Sequence, residues 1–247
     1  MQRPAYRRHL PHQIPPGIPI FVTWNLKGAL PQEVIESMRR ERERLELEPA
    51  RSGEAKDARK LRHEKMIFAM TDRYCDQATS GPLHLNDPAA AKIVEDSILF
   101  GVPERYELYA YVVMPNHVHV LLKPIFDYDK ITQGIKGYTA HEINTLQKQR
   151  GRVFWQDECY DHWPRDEDEF FRIIAYIENN PVAAGLCASP ADWLWSSARH
   201  RTEWNWPVGQ AFQPDPNGQQ TLGCIETFHI NQQNSQPGKA DLRRHHA

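Results

Sequence analysis

The chain has few cysteines, and their spacing forms no motif. Its 247 residues include only four, which lie far apart with no Cys-x-x-Cys pair: Cys75, Cys159, Cys187 and Cys224. Without close spacing, and without a secretion signal, we expect neither a zinc knuckle nor a disulfide framework. We interpret all four as reduced structural cysteines.

Long apolar runs are also missing. No stretch approaches the roughly 20 apolar residues that a membrane-spanning helix needs. Residues 1–17 are basic but lack the apolar segment of a secretory signal. The composition, with 40% hydrophobic and 25% charged residues, is that of a soluble globular protein. We therefore expect a cytoplasmic protein with no membrane partner.

The chain carries no overall excess of positive charge. Thirty Lys and Arg residues stand against 32 Asp and Glu residues, a net charge of −2, which argues against a generic nucleic-acid binder. Residues 123–152 differ from this average, because a local surplus of basic residues can attract phosphate. A solvated helix face explains the same charges equally well. The basic residues are Lys123, Lys130, Lys136, Lys148, Arg150 and Arg152, against Asp127, Asp129 and Glu142.

The spacing of apolar residues predicts an α+β fold. Strands are predicted at 18–24, 106–114, 117–123 and near 158–163. One or two helices are predicted within 31–75, with a break near 49–53, and further helices at 86–101, 127–151 and 166–180. Pro181 is expected to stop the last helix. The middle of this order is a split βαβ pattern. We therefore expect a ferredoxin-like antiparallel sheet with helices on one face and an additional helix that carries a tyrosine.

The domain organisation follows from the same pattern. An irregular arm at 1–17 precedes one domain at 18–206, and the tail at 207–247 is predicted to be disordered because it is rich in polar residues, Pro and Gly. The charged segment at about 31–75 is interpreted as a solvated helical insertion without chemistry. In the helix at 127–151, five residues are expected to face the core: Ile131, Ile135, Tyr138, Ile143 and Leu146.

Two histidines on one predicted strand form half of a candidate metal site. His117 and His119 are one residue apart, so both imidazoles point to the same face, whereas Val118 and Val120 point to the other. Two neutral imidazoles side by side can bind a divalent cation. We expect both to lie on the polar, open face of the sheet. A pair of structural histidines is the alternative.

A tyrosine and an asparagine share one face of the last predicted helix. Tyr176 and Asn180 are four residues apart. A phenol oxygen can act as a nucleophile in covalent catalysis, and an amide oxygen is a hard ligand for magnesium or manganese. The alternative is that Tyr176 is a core aromatic residue, because its neighbours in the helix are apolar.

Four stretches resemble the single-tyrosine HUH transposases (in which U stands for a hydrophobic residue). YVVMPNHVHVLLKP at 111–124 is similar to their His-hydrophobe-His signature, and IKGYTAHEIN at 135–144 is similar to the helix that follows it. The segment at 154–186 resembles their tyrosine-bearing segment, and its end, YIENNPVAAGL, together with WLWSSAR at 193–199 resembles the REP-associated tyrosine transposases. The resemblance covers roughly residues 18–200.

This resemblance implies an activity and a site. It implies Tyr176 as the nucleophile, and His117, His119 and Asn180 as ligands of Mg²⁺ or Mn²⁺. It also implies cleavage and rejoining of single-stranded or hairpin DNA through a covalent 5′-phosphotyrosine intermediate. Monomer and homodimer both stay open, as does whether Tyr176 acts in its own protomer or in a partner's site.

Contacts to DNA outside the metal site are less defined. Lys136 and Arg152 are candidate phosphate contacts, and Trp155 is a candidate for stacking on an unpaired base. A solubilising lysine and a core tryptophan are the alternatives. Two other classes of protein also stay open: a non-catalytic ferredoxin-like module that binds nucleic acid, and a metal-dependent nuclease that uses water as the nucleophile.

Overall fold

A computed structural model describes residues 17–77, 81–157 and 159–201. The predicted arm up to residue 16, the tail from 207, Cys224, and Glu158 of the last predicted strand lie outside the described residues. In chain order, the elements are β1 (Ile20–Asn25), α1 (Gln32–Leu47), α2 (Lys56–Gln77), α3 (Pro88–Leu99), β2 (Tyr106–Val113), β3 (His117–Pro124), α4 (Tyr128–Leu146), β4 (Tyr160–His162) and α5 (Glu167–Ala183). Among these helices, none is both long and apolar enough to cross a bilayer.

The four strands form one antiparallel sheet in the order β2-β3-β1-β4. This is the strand order of a ferredoxin-like fold, so the predicted fold class is confirmed. Strand β3 lies inside the sheet, paired with β1 on one side and β2 on the other. Its register places Thr23 of β1 opposite His119, and Asn25 opposite His117.

Helices α3 and α4 cover one face of the sheet. Val118 and Val120 of β3 point to this face and are fully buried against apolar side chains of both helices. Each helix begins at an aspartate whose side chain accepts a backbone N–H of the first turn, Asp87 for α3 and Asp127 for α4. These caps satisfy donors that have no partner within the helix.

Helices α2 and α5 cover the opposite face. Phe68 of α2 and Ile177 of α5 are buried there against Phe21 of β1 and Leu121 of β3. One or two helices were predicted in the charged segment, and the structure has two, with the predicted break between them. The interpretation of the segment as solvated is wrong for α2, because one side of that helix is buried on the sheet.

Two predicted details of the helices are wrong. Pro181 does not end α5: the helix continues to Ala183, and Gly185, with φ of 71°, follows its last turn. A proline near a helix end removes only one hydrogen bond, whereas glycine readily adopts the left-handed conformation that closes a helix. In α4, Tyr138 and Leu146 are exposed, and Thr139 takes the core position between Ile135 and Ile143.

Candidate metal centre and active site

The two histidines of β3 lie side by side on the face that α2 and α5 cover. Their Nε2 atoms are 3.0 Å apart, and both side chains have no exposed surface. The expectation of an open, polar face is therefore wrong. The inserted helix α2 covers the pair. The sequence of β3 by itself does not indicate that a helix from a distant part of the chain will cover this face.

Neighbouring side chains orient both imidazoles. Asn116 donates from its amide nitrogen to the carbonyl of Cys75 at 3.0 Å, so its Oδ1 faces Nδ1 of His117, at 2.6 Å. An amide oxygen only accepts hydrogen bonds, so Nδ1 of His117 carries the proton and Nε2 presents a lone pair. Nδ1 of His119 lies 2.7 Å from the hydroxyl of Thr23. Such contacts orient metal-binding histidines in proteins.

Helix α2 adds two carboxylates that the sequence interpretation missed. Asp72 Oδ1 lies 3.2 Å from Nε2 of His119 and 4.0 Å from Nε2 of His117, and Asp76 Oδ1 lies 3.6 Å from Nε2 of His117. The two aspartates are one helical turn apart and so share a face. That spacing, beside the apolar Phe68 and Cys75, is the signal in the sequence that could have revealed them.

Helix α5 brings Tyr176 and Asn180 to the same place. The half-buried ring of Tyr176 packs against the imidazole of His119, with 5.6 Å between ring centroids. The side chain of Asn180 is buried and hydrogen-bonds Asp76. The structure thus brings together all four residues that the sequence predicted for the metal and the nucleophile, together with the unpredicted Asp72 and Asp76.

Burial controls the protonation of the cluster. It lowers the pKa of His119 to about 3 and the pKa of His117 well below its usual value, so both imidazoles are neutral at physiological pH. Burial also raises the pKa of Asp72 to about 8, and burial together with the charge of Asp72 raises that of Asp76 to about 8. The short contacts between histidine and aspartate are therefore not ion pairs.

The donor set fits a divalent cation. Within the described part of the chain, Oδ1 of Asp72, Oδ1 of Asp76 and Oδ1 of Asn180 are buried without a hydrogen-bond partner. Buried polar atoms in proteins are rarely left unpaired. Ligands about 2.1 Å from one cation lie at most about 4.2 Å from each other, and the distances among Asp72, His117 and His119 satisfy this limit.

The three candidate DNA contacts lie at a cleft beside α4 and are not part of the metal cluster. Lys136, Arg152 and Trp155 line a cleft of about 350 Å³ beside α4. Lys136 Nζ donates to the carbonyls of Gln156 and Asp157, at 2.7 and 3.1 Å. Arg152 hydrogen-bonds side chains of the α4 end. Trp155 is buried in the core on the opposite side of the sheet from the histidines.

One protein family model matches the central part of the chain. Residues 102–180 match the family model described as "Transposase IS200 like". This part of the chain is thus similar to IS200-like transposases. The match spans β2 to α5 and includes both histidines, Tyr176 and Asn180, so it confirms the resemblance noted in the sequence. It does not include α2.

Comparisons with other proteins add little beyond the family. None of the curated proteins matches the chain. One similar solved structure is a REP-associated tyrosine transposase bound to a REP hairpin, with 17% identity, a TM-score of 0.48, and coverage of 90% of this chain and 100% of the other. Another is a putative transposase from Deinococcus radiodurans, with 15% identity, a TM-score of 0.25, and coverage of 73% and 97%. Neither likeness bears on substrate or mechanism.

Proposed function

We propose that this protein cleaves and rejoins single-stranded or hairpin DNA, with Tyr176 as the nucleophile. One observation carries the proposal: inside the segment similar to IS200-like transposases, Tyr176 of α5 packs on His119 of β3. One turn further along α5, Asn180 hydrogen-bonds Asp76, which lies 3.6 Å from His117. A strand-borne histidine pair and a helix-borne tyrosine belong to distant parts of the chain. A tyrosine that served only as a core aromatic residue would not need to lie beside this histidine pair.

The chemistry is a transfer of one phosphodiester. The phenol oxygen of Tyr176 attacks the phosphorus, and a new O–P bond forms as the bond from phosphorus to the 3′-oxygen breaks. The phenol proton is lost to solvent, and the departing 3′-oxygen gains a proton to become a hydroxyl. The 5′-phosphate stays on Tyr176 as a diester, so attack by a 3′-hydroxyl can rejoin the strand without another energy source.

His117, His119 and Asn180 would hold Mg²⁺ or Mn²⁺ in this reaction. A free tyrosine has a pKa of about 10, so the phenol is mostly protonated at neutral pH and the developing charge needs stabilisation. A divalent cation supplies this by polarising the phosphate oxygens. Neutral imidazoles suit the role because each keeps one unprotonated ring nitrogen over the physiological pH range.

For DNA contact outside the cluster, we propose Lys136 and Arg152 as phosphate contacts at the cleft beside α4. Both are half-buried, and both hold the segment that follows α4. Trp155 supports the cleft wall, where its indole nitrogen donates to Thr139 at 2.9 Å. The role of Trp155 in stacking stays a prediction.

The decisive experiment replaces Tyr176 by phenylalanine. This change removes one oxygen and keeps the ring that packs on His119, so folding and DNA binding should persist. The protein is incubated with Mn²⁺ and a labelled DNA hairpin that carries an unpaired flank, and the products are separated on a denaturing gel. We expect the wild type to form a covalent adduct and Tyr176→Phe to form neither adduct nor cleaved strand.

Tyr138→Phe is the matched control, because Tyr138 is an exposed tyrosine on α4. This variant should cleave DNA like the wild type. Cleavage by Tyr176→Phe would overturn the proposed nucleophile and favour a nuclease that uses water. Binding without any cleavage by the wild type would favour a non-catalytic module.

A further inference from the structure

We propose that Asp72 and Asp76 of α2 bind the divalent cation in the DNA-free protein, and that Asp76 leaves it when a DNA phosphate binds. This inference rests on the proposed function, because it concerns the same cation. It adds two ligands from a part of the chain outside the matched family segment. It also assigns a role to the charged insertion.

The geometry of α2 places Asp72 in one group of donor atoms with both histidines, and it places Asp76 beside that group, next to His117. Asp72 Oδ1 is within 4.0 Å of both imidazole Nε2 atoms, and Asp76 Oδ1 is 3.6 Å from that of His117. Both oxygens are buried without a hydrogen-bond partner among the described residues. Carboxylates are normally paired when they are removed from water, because burial of an isolated charge is costly.

Charge balance supports the same conclusion. Two neutral imidazoles and the amide of Asn180 would leave the full double charge of the cation uncompensated in a buried site. Two ionised carboxylates neutralise it. A bound dication favours the ionised form of both carboxylates.

A site closed by all these donors leaves no room for substrate. Catalytic metal sites keep an open position, whereas here both histidines are fully buried, with Asp72 and Asp76 of α2 and Tyr176 of α5 against them. Phe68 of α2 stacks on Tyr160 of β4 with ring centroids 4.0 Å apart, which holds the helix on the site. A phosphate oxygen can reach the cation only if a protein ligand departs.

Asp76 is the ligand placed to depart. Its side chain is 20% exposed, whereas that of Asp72 is 5% exposed, so Asp76 lies at the rim of the cluster. A DNA phosphodiester carries one negative charge, so exchange of phosphate for Asp76 keeps the charge of the site unchanged. Asp72 stays bound throughout, in contact with His119.

The first experiment measures Mn²⁺ binding to the full-length, DNA-free protein by calorimetry and by the electron paramagnetic resonance signal of free Mn²⁺. Asp72→Asn and Asp76→Asn keep the size of each side chain and remove its charge. We expect each change to weaken Mn²⁺ binding at least about tenfold, since even indirect metal partners contribute that much. Asp57→Asn, at the exposed start of α2, should bind like the wild type.

The outcomes separate this inference from the proposed function. If the wild type binds Mn²⁺, His117→Ala does not, and both aspartate variants bind like the wild type, the inference is overturned while the histidine site stands. If the wild type binds no Mn²⁺, the inference falls together with the proposed cation. The tyrosine assignment is judged independently by the adduct assay with Tyr176→Phe.

The second experiment tests the exchange of ligands. DNA-hairpin binding is measured by fluorescence anisotropy in saturating Mn²⁺, in a Tyr176→Phe background that does not cleave. We expect added Asp76→Asn to bind DNA severalfold more tightly, because no carboxylate then competes with the phosphate. Asp57→Asn removes the same charge from the same helix and should have a smaller effect. Equal effects of the two changes would refute the exchange.

Discussion

The ion pair between Lys65 and Glu169 holds α2 against α5 and thereby holds α2 over the histidine pair. Lys65 Nζ lies 2.6 Å from Glu169 Oε1, and both side chains are less than 10% exposed. Glu169 also accepts hydrogen bonds from His162 at 2.9 Å and from Arg165. Burial alone would raise the pKa of Glu169, but His162, Lys65 and Arg165 together hold it well below its usual value.

Lys65→Met removes the charge and keeps the length of the side chain. Loss of one partner from a buried ion pair typically costs 3–5 kcal/mol, because the other charge stays buried. Here Glu169 keeps His162 and Arg165, so we expect the lower end, about 3 kcal/mol. For a chain of this size, that loss corresponds to a fall in melting temperature of about 6–12 °C.

The assay is urea unfolding at pH 7.5, followed by circular dichroism. Lys60→Met is the matched control: Lys60 lies on the same helix, 3.9 Å from Glu64, and its side chain is 51% exposed. Exposed pairs of this kind contribute about 0.5 kcal/mol or less. A loss of stability in Lys65→Met no greater than that in Lys60→Met would refute the inferred role of the buried pair.

Two further predictions concern pH and DNA contact. The stability difference between wild type and Lys65→Met should be constant from pH 8 to pH 5 and shrink well below pH 4.5. The depressed pKa of Glu169 gives stability that is present above its unfolded-state pKa, about 4.3, and is lost as pH falls through the folded-state value. Urea unfolding of both proteins across this pH range measures the difference. A difference that already shrinks near pH 6 would contradict the prediction. Lys136→Gln should weaken hairpin binding and reduce its salt dependence by about one counterion, whereas an unchanged salt slope in anisotropy titrations would exclude Lys136 as a phosphate contact.

The local features of the candidate site were predictable because they depend on residues close in sequence. Alternation along a strand determines that His117 and His119 share a face, and helical spacing determines that Tyr176 and Asn180 share another. The resemblance to single-tyrosine transposases then added the residue roles, which stay proposals here.

The exposure of the site was not predictable from these patterns. A strand with polar residues on one side reads as open to water, but a distant helix can cover that side. Charged residues dominate the sequence of α2, so the helix was predicted to be solvated. Its few apolar residues, which include Ile67 and Phe68, did not change that prediction. Burial of that set on the sheet then brought Asp72 and Asp76 inward with it.

The sequence by itself therefore determined the elements, the antiparallel sheet and the two pairs of candidate residues, since periodicity and capping act over a few residues. Only the tertiary structure decided that α2 packs on the same face as α5 and that Asp72 and Asp76 meet the histidines. The physical reason is that a helix takes its place by burying its apolar side against whatever surface is available. The surface of β1, β3 and β4 that receives α2 is assembled from strands far apart in the chain.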